Sequence, residues 1–318
     1  MKAKFLGGGL RLSGLFGAAG VLCGAASMLG FLDRYWWFFD VAASFRPQYA
    51  LLLLIMGAFL FFRRRPRAAL LSLGASALNI AVLVPLFFAR PAADPGPGTR
   101  LRVLLLDVQL SNRRVDLVMA EIARWNPDIV VLEEVDDFWN AQLDPLVALF
   151  GNGFLRRSED DFGYAIFCKM PVKKTNVQFV GTQLPSILMR FEFDGKPVNF
   201  IALHTVPPND SNNAGLRDLQ LDSFGELLAG RTNQVILVGT LNATPWSPHF
   251  RDLLRRGNLV DSSTGYGLQP TWPASVWPVR IPIDHCLVSP SIRIVGRQLG
   301  HRVGSDHLPL IVDLVVPK

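Results

Sequence analysis

The chain has 318 residues, a formal net charge of +6 and a pI near 9.5, and half of it is apolar, with a mean hydropathy of +0.27. That length allows one large domain or two modest ones, and the hydropathy is high for a wholly soluble enzyme. The charge is unevenly placed: residues 1–99 carry ten Lys/Arg against three Asp/Glu (+7), and residues 100–318 carry twenty-two against twenty-three (−1). The C-terminal part therefore lacks the basic footprint of a general duplex-DNA binder. Cys23, Cys168 and Cys286 are too few for a disulfide framework and read as small packed hydrophobes, with one Cys168–Cys286 bridge as the alternative in an oxidising compartment.

Three apolar runs open the chain. Ser13–Leu32 is twenty uncharged residues, enough to cross a hydrocarbon core of about 30 Å, and is followed by the aromatic cluster Tyr35–Phe39. Pro47–Phe62 is sixteen residues and short for a span; Ala68–Ala89 is twenty-two. Residues 1–89 thus read as a three-helix transmembrane anchor in a membrane lipid bilayer. Lys2, Lys4 and Arg11 before the first run and Arg63–Arg67 between the second and third are expected on the cytoplasmic side. Three spans would leave the rest of the chain extracytoplasmic, in a bacterium the periplasmic side of the inner membrane; an interfacial second run would reverse that. Arg90–Thr99, rich in Pro and Gly, cannot continue a helix and reads as a linker, so a soluble domain begins at residue 100.

In that domain Leu101–Val108 reads as a strand, Arg113–Trp125 as a helix stopped by Asn126-Pro127, and Asp128–Leu132 as a buried strand delivering Glu133-Glu134. A helix is expected from Asp136, and another over Gly215–Leu228. Further strands are expected at Ala165–Cys168, Ile187–Phe193, Pro197–His204, Gln234–Val238, Asp284–Val288 and Leu308–Val315. Strands early and late with helices between make an α/β (α+β) domain of about 220 residues.

Most of the reactive side chains fall at predicted strand ends. They are Asp107, Glu134 in Val131-Leu132-Glu133-Glu134, His204 in Leu203-His204-Thr205, and Thr240 and Asn242 in Gly239-Thr240-Leu241-Asn242-Ala243-Thr244-Pro245-Trp246. Asp284 follows in Ile283-Asp284-His285, and Asp306 with His307 in Gly304-Ser305-Asp306-His307. Taken singly, a strand-end Glu is ordinarily a solvated turn residue and a strand-end His a satisfied structural imidazole. Together they supply hard oxygen donors for a divalent cation and imidazoles for a phosphate.

The set resembles the signature of the endonuclease/exonuclease/phosphatase superfamily over residues 100–318, and the apolar N-terminus and Thr271-Trp272-Pro273 resemble its membrane-anchored bacterial subgroup. The resemblance implies a four-layer sandwich of two β-sheets flanked by helices, and Mg2+ or Mn2+ held by Glu134, Asp107 and Asp306. It also implies His307 oriented by Asp284 beside the phosphate, with His204 and Asn242 contacting it. Glu133 stands where the family often has Gln, so Glu134 is the better match to its metal-binding Glu.

Two further departures matter more. Thr240 replaces the Asp that helps generate the attacking hydroxide, and a hydroxyl is no base near neutral pH. Asp107 occupies the place of an Asn. Exchanging these would keep one carboxylate at the site, with Asp107 positioning or deprotonating the water and Thr240 hydrogen-bonding beside it. The expected function is a membrane-anchored, metal-dependent phosphoester hydrolase acting on a lipid headgroup or nucleotide sooner than duplex DNA. The alternative is a catalytically silent relative binding a phosphorylated ligand or protein partner.

Overall fold

The structure, a computed structural model, describes residues 12–88, 96–193 and 195–318, with side chains from residue 20 onward. The chain forms two compact units, Met1–Val84 and Pro85–Lys318.

The first unit contains α1 (Leu12–Leu29), α2 (Trp37–Ala43), α3 (Arg46–Phe62) and α4 (Pro66–Leu83). Gly57 lets α3 and α4 approach closely: a Cβ there would meet the Leu73 side chain at 2.6 Å. Among the described residues only α4 is long and apolar enough to cross a membrane, and α2 with α3, bent by 62°, pass only if counted as one span. The described part of the first run, Gly20–Leu32, is shorter, and residues 1–11 lie outside the described residues. Among the described residues one or two of the expected spans are therefore present, since α3 has only 17 residues and the side chains at the start of the first run lie outside them. These apolar helices suggest membrane association.

Of the expected linker, residues 90–95 also lie outside the described residues, and Gly98-Thr99 already belong to the first strand. The second unit starts earlier than the predicted domain, with the short helix α5 (Pro85–Phe88), whose Leu86 carbonyl accepts from Gly267 N–H at 2.7 Å.

The second unit is built on two mixed six-stranded sheets. In the first, β1 (Gly98–Asp107) pairs in parallel with β2 (Ile129–Glu133), flanked by β4 (Tyr164–Cys168) and β3 (Asn152–Arg156) on one side. On its other side lie β12 (Leu310–Pro317) and β11 (Arg293–Leu299). In the second, β7 (Lys196–Leu203) pairs in parallel with β8 (Gln234–Thr240), flanked by β6 (Pro185–Phe193) and β5 (Lys174–Phe179), and by β10 (Asp284–Val288) and β9 (Val260–Asp261). Helices α6 (Val115–Trp125), α7 (Asp137–Asn140) and α8 (Asp144–Phe150) lie between strands of the first sheet, and α9 (Ser211–Leu228) and α10 (Pro248–Gly257) between strands of the second.

Period-two alternation builds the layers. On β1, Leu101, Val103 and Leu105 join the core between the sheets, whereas Leu104 and Leu106 face the cluster that holds Val118 and Ile122 of α6. A third cluster packs Leu221 and Phe224 of α9 and Phe250 of α10 on the second sheet. Each such side chain, fully buried, stabilises by roughly 1.5–3 kcal/mol. Caps bound the helices: Asp210 accepts from the N–H of Asn212 and Asn213, and Asn126, left-handed at φ 44°, ends α6. Cys168 and Cys286 are separate buried thiols in the two sheets, so the bridge considered from the sequence is not formed.

Candidate active site

Strand direction gathers the polar residues at one end of the sandwich. Asp107, Glu133 and Thr240 close β1, β2 and β8, and His204 follows β7 directly. Asp284 opens β10, antiparallel to β8 and opposite Thr240, and His307 lies just before β12, antiparallel to β1. Side-chain alternation then aims them. Val103 and Leu105 precede Asp107 on the inter-sheet face; Ile129 and Val131 precede Glu133, Phe200 and Ala202 precede His204, and Ile236 and Val238 precede Thr240. The site is the polar continuation of the core between the sheets.

At its centre, Asp107 Oδ2 lies 4.0 Å from His204 Nε2 and 4.0 Å from His307 Nε2, while Oδ1 accepts from Gln109 N–H at 2.8 Å. His307 Nδ1 is 3.0 Å from Asp284 Oδ2, and Thr240 Oγ1 donates to Asp284 Oδ1 at 2.5 Å. Burial alone would lower the His307 pKa, but Asp284 in contact and Asp107 nearby outweigh it and raise it to about 10. Burial would raise Asp284, yet His307 and the hydroxyl donors hold it below the usual carboxylate range. The two form an imidazolium–carboxylate pair at neutral pH. His204 is pushed down to about 4 by burial and by the His307 cation, and is neutral.

Thr240 gives its hydroxyl hydrogen to Asp284. Glu133, set behind Glu134 by the resemblance, is fully buried here. Its Oε2 accepts from Thr240 N–H at 3.0 Å, and its buried Oε1 has no partner. Glu134 has left-handed backbone (φ 59°), accepts from Leu110 N–H at 2.9 Å, and lies close enough to Asp107 and His307 to feel their charges. Among the described residues, the group of three acidic or imidazole side chains whose ligand atoms all lie within 4.8 Å of one another is Asp107, Glu133 and His204. Glu134 and Asp306 are not in it. Asp306 Oδ2 accepts from Trp272 Nε1 at 2.9 Å.

Asn242, also left-handed (φ 47°), donates from Nδ2 to Thr205 O at 2.7 Å, and its own carbonyl accepts from the buried Arg217 at 3.0 Å. Tyr164, not singled out from the sequence, accepts His204 N–H at 2.8 Å. Strand parity is the available signal for Glu133, and the helix after Pro207-Pro208 is the signal for Arg217; Tyr164 has none, since it acts through a main-chain contact across the fold.

The donor set fits a divalent cation. Burial raises Asp107 to about 6, and burial with Asp107 nearby raises Glu134 to about 8 and Glu133 well above its usual value. Crowded, desolvated carboxylates of this kind are what a bound cation neutralises.

A four-layer sandwich with acids, an Asp–His pair and a second His at one end defines a phosphoesterase-type site. The sequence model of the Endonuclease/Exonuclease/phosphatase family matches residues 101–307, and the chain belongs to that family. No curated protein matches the chain. Among solved structures it is similar to a humanized D. rerio TDP2 (16% identity, TM-score 0.56, covering 68% of this chain and 98% of that one). It is also similar to the human Nocturnin catalytic domain with bound sulfate (18%, 0.56, 68% and 94%) and to an endonuclease/exonuclease/phosphatase from Beutenbergia cavernae (19%, 0.54, 69% and 72%). At these identities the likeness is one of fold.

Proposed function

We propose that the chain is a divalent-metal-dependent phosphoester hydrolase whose site is rearranged around Asp107. The observation that carries this reading is the placement of the Asp107 carboxylate 4.0 Å from both imidazoles, where a hydroxyl at 240 is turned away to Asp284. Asp107 orients the attacking water. His307, its Nδ1–H held by Asp284, presents Nε2–H to a phosphate oxygen and stabilises the charge that develops there. His204, neutral, and Asn242, fixed by Thr205 and Arg217, complete the phosphate's surroundings. A divalent cation on the carboxylates supplies Lewis acidity and lowers the pKa of water. Hydrolysis of bis-p-nitrophenyl phosphate by the full chain with Mg2+ or Mn2+ tests this. Asp107→Asn is expected to lose at least 100-fold, on the order of a positioned base; a variant that keeps full activity overturns the reading. The Thr240–Asp284 bond is what favours the silent alternative, and a native chain without turnover would select it.

The substrate class favoured is a phosphoester with an apolar part, such as a lipid headgroup. The near-neutral charge of residues 100–318 supports this, as does an exposed apolar tip, Val276, Trp277 and Val279, beside the site. Its base is tied to Asp306 by Trp272 Nε1 and by Ala274 N–H, which donates to Asp306 O at 2.6 Å. Trp is suited to a polar–apolar boundary. Trp277→Ala is expected to reduce turnover of phospholipid in vesicles while leaving soluble substrate unaffected; equal effects on both would refute it. A D. rerio TDP2 was crystallised with a single-strand DNA product, so a single-stranded phosphodiester is the competing substrate. We also keep the extracytoplasmic placement of the domain, on the cationic clusters Lys2–Arg11 and Arg63–Arg67, to be tested by a C-terminal reporter fusion.

A further inference from the structure

We propose that Gln109 is a positioning residue: its side chain latches the loop carrying Asp306 and His307 onto the end of β1, and so sets where His307 stands relative to Asp107. The inference deepens the hydrolase reading above and rests on it.

Backbone conformation marks the residue. Gln109 is left-handed, with φ 63°. Glycine enters that region freely and Asn tolerates it, whereas a longer side chain crowds its own backbone there. Asn126 and Asn258, which end α6 and α10, are of the tolerant type; Gln109 is not. A strained non-glycine persists where its surroundings hold it, and such residues gather at functional sites. Glu134 and Asn242, left-handed too, belong to the same site.

The contacts show what the side chain does. Gln109 Oε1 accepts from Asp306 N–H at 3.2 Å, while its own N–H donates to Asp107 Oδ1 at 2.8 Å. One residue therefore holds the Asp107 carboxylate with its main chain and the His307 loop with its side chain. Asp306 offers an N–H, so only the amide oxygen of Gln109 can accept, which fixes the orientation of the amide. Ser305, buried, adds a parallel link: its hydroxyl donates to Asp107 O at 2.7 Å and accepts from His307 N–H at 2.9 Å.

Main-chain pairing stops short of this place. The ladder between β1 and β12 ends at the Leu105–Leu310 pair, and beyond it side chains join the segments 107–112 and 303–307. Asn112 Nδ2 donates to Val108 O at 3.0 Å and to Val303 O at 3.3 Å, and a Cβ on Gly304 (φ 94°) would come within 2.5 Å of Asn112 Oδ1. From the other side Trp272 and Ala274 hold Asp306, and Asp284 holds the His307 ring. Gln109 adds the bond that refers this loop to the residue gripping the Asp107 carboxylate. The 4.0 Å between Asp107 Oδ2 and His307 Nε2 is thus set across a short bridge.

Gln109→Gly removes the side chain, keeps the N–H on Asp107 and relieves the backbone, so it separates positioning from folding. Native and variant full chains are compared by thermal melting, by hydrogen exchange at the Asp306 amide read by mass spectrometry with fragmentation, and by bis-p-nitrophenyl phosphate turnover with Mn2+. The melting temperature is expected to stay within about 3 °C of the native value. The Asp306 amide should exchange about tenfold faster or more, as a local opening without its acceptor. kcat should fall roughly 10–100-fold with KM within about threefold, on the order of the loss when a reacting group is misplaced by an ångström. Gln109→Met, of similar length but without the oxygen, should match Gln109→Gly in exchange and turnover while melting lower. An Asp306 amide as protected in Gln109→Gly as in the native chain overturns the latch. Unchanged kcat despite faster exchange overturns the positioning role, and so does a fall in turnover accompanied by a melting loss of about 10 °C, which would assign Gln109 to folding alone. Exchange requires no turnover: a native chain that does not hydrolyse, with Asp306 deprotected only in the variants, refutes the hydrolase reading and leaves the latch standing.

Discussion

Thr240→Asp is the most discriminating perturbation, because it restores the side chain that the family pattern expects in a pocket reorganised around its absence. Thr240 is 1% exposed, its hydroxyl donates to Asp284 Oδ1 at 2.5 Å, and its N–H is bound to Glu133. A carboxylate there replaces a donor with an anion beside Asp284 and close to Glu133. Two unit charges about 4 Å apart repel by about 4 kcal/mol at an effective dielectric near 20. The alternative is protonation, a pKa raised by about 3 units for the same free energy. His307 does not relieve this, since its charge is already matched by Asp284. For a domain of this size a loss of about 4 kcal/mol lowers the melting temperature by roughly 10 °C. Thermal melting of the native and variant full chains in chelator measures it, with Mn2+ expected to recover part of the loss. A variant that melts at or above the native temperature, or that shows turnover while the native chain has none, would refute a site rebuilt around Asp107.

Two further outcomes follow from the same geometry. Tyr164→Phe leaves the buried His204 N–H without its 2.8 Å acceptor and is expected to cost about 1–3 kcal/mol by urea unfolding, with turnover falling as His204 loosens. In chelator, Glu134 (about 8 when folded, usual value 4.5), Glu133 (well above 4.5) and His307 (about 10 against 6.5) keep protons that the unfolded chain releases. Stability should therefore fall as pH rises from about 6.5 to 10. Below 6.5 the fall is shallower, because His204, depressed to about 4, acts in the opposite sense. A pH series of melting temperatures that rises over about 6.5–8 without metal would contradict this charge distribution.

The sequence was legible where burial was complete. β2, β4 and β10 are buried along their whole length and read as apolar runs, and each was placed within a residue or so. The strands not foreseen, β3, β5, β9 and β11, are the four sheet edges. Their residues are half-exposed, as in Lys174–Phe179, so neither a continuous apolar run nor a clean alternation marks them. Helix α10 was missed because its ten residues carry three arginines, although Phe250 and Leu253 bury one face. In the N-terminal unit, hydropathy counts residues and does not see the 62° bend between α2 and α3.

At the site, motif matching and strand parity pointed to different residues. Matching by resemblance selected Glu134 over Glu133. Alternation selects Glu133, because Ile129 and Val131 are core residues on the inter-sheet face and the next residue of that phase is 133. The same phase puts Asp107 after Val103 and Leu105, His204 after Phe200 and Ala202, and Thr240 after Ile236 and Val238. Asp107 and Glu133 thus come from one sheet and His204 and Thr240 from the other, and their distances are set by how closely the two sheets pack. That packing is fixed by large apolar side chains in a dense core, which yields little to small changes. Exchanges among polar residues at the strand ends can therefore move charge from one position to its neighbour while the frame stays still. The loss of a carboxylate at 240 and its presence at 107 and 133 are one such redistribution, and its consequence is a site whose acids sit together on the first sheet, opposite the imidazole of His204.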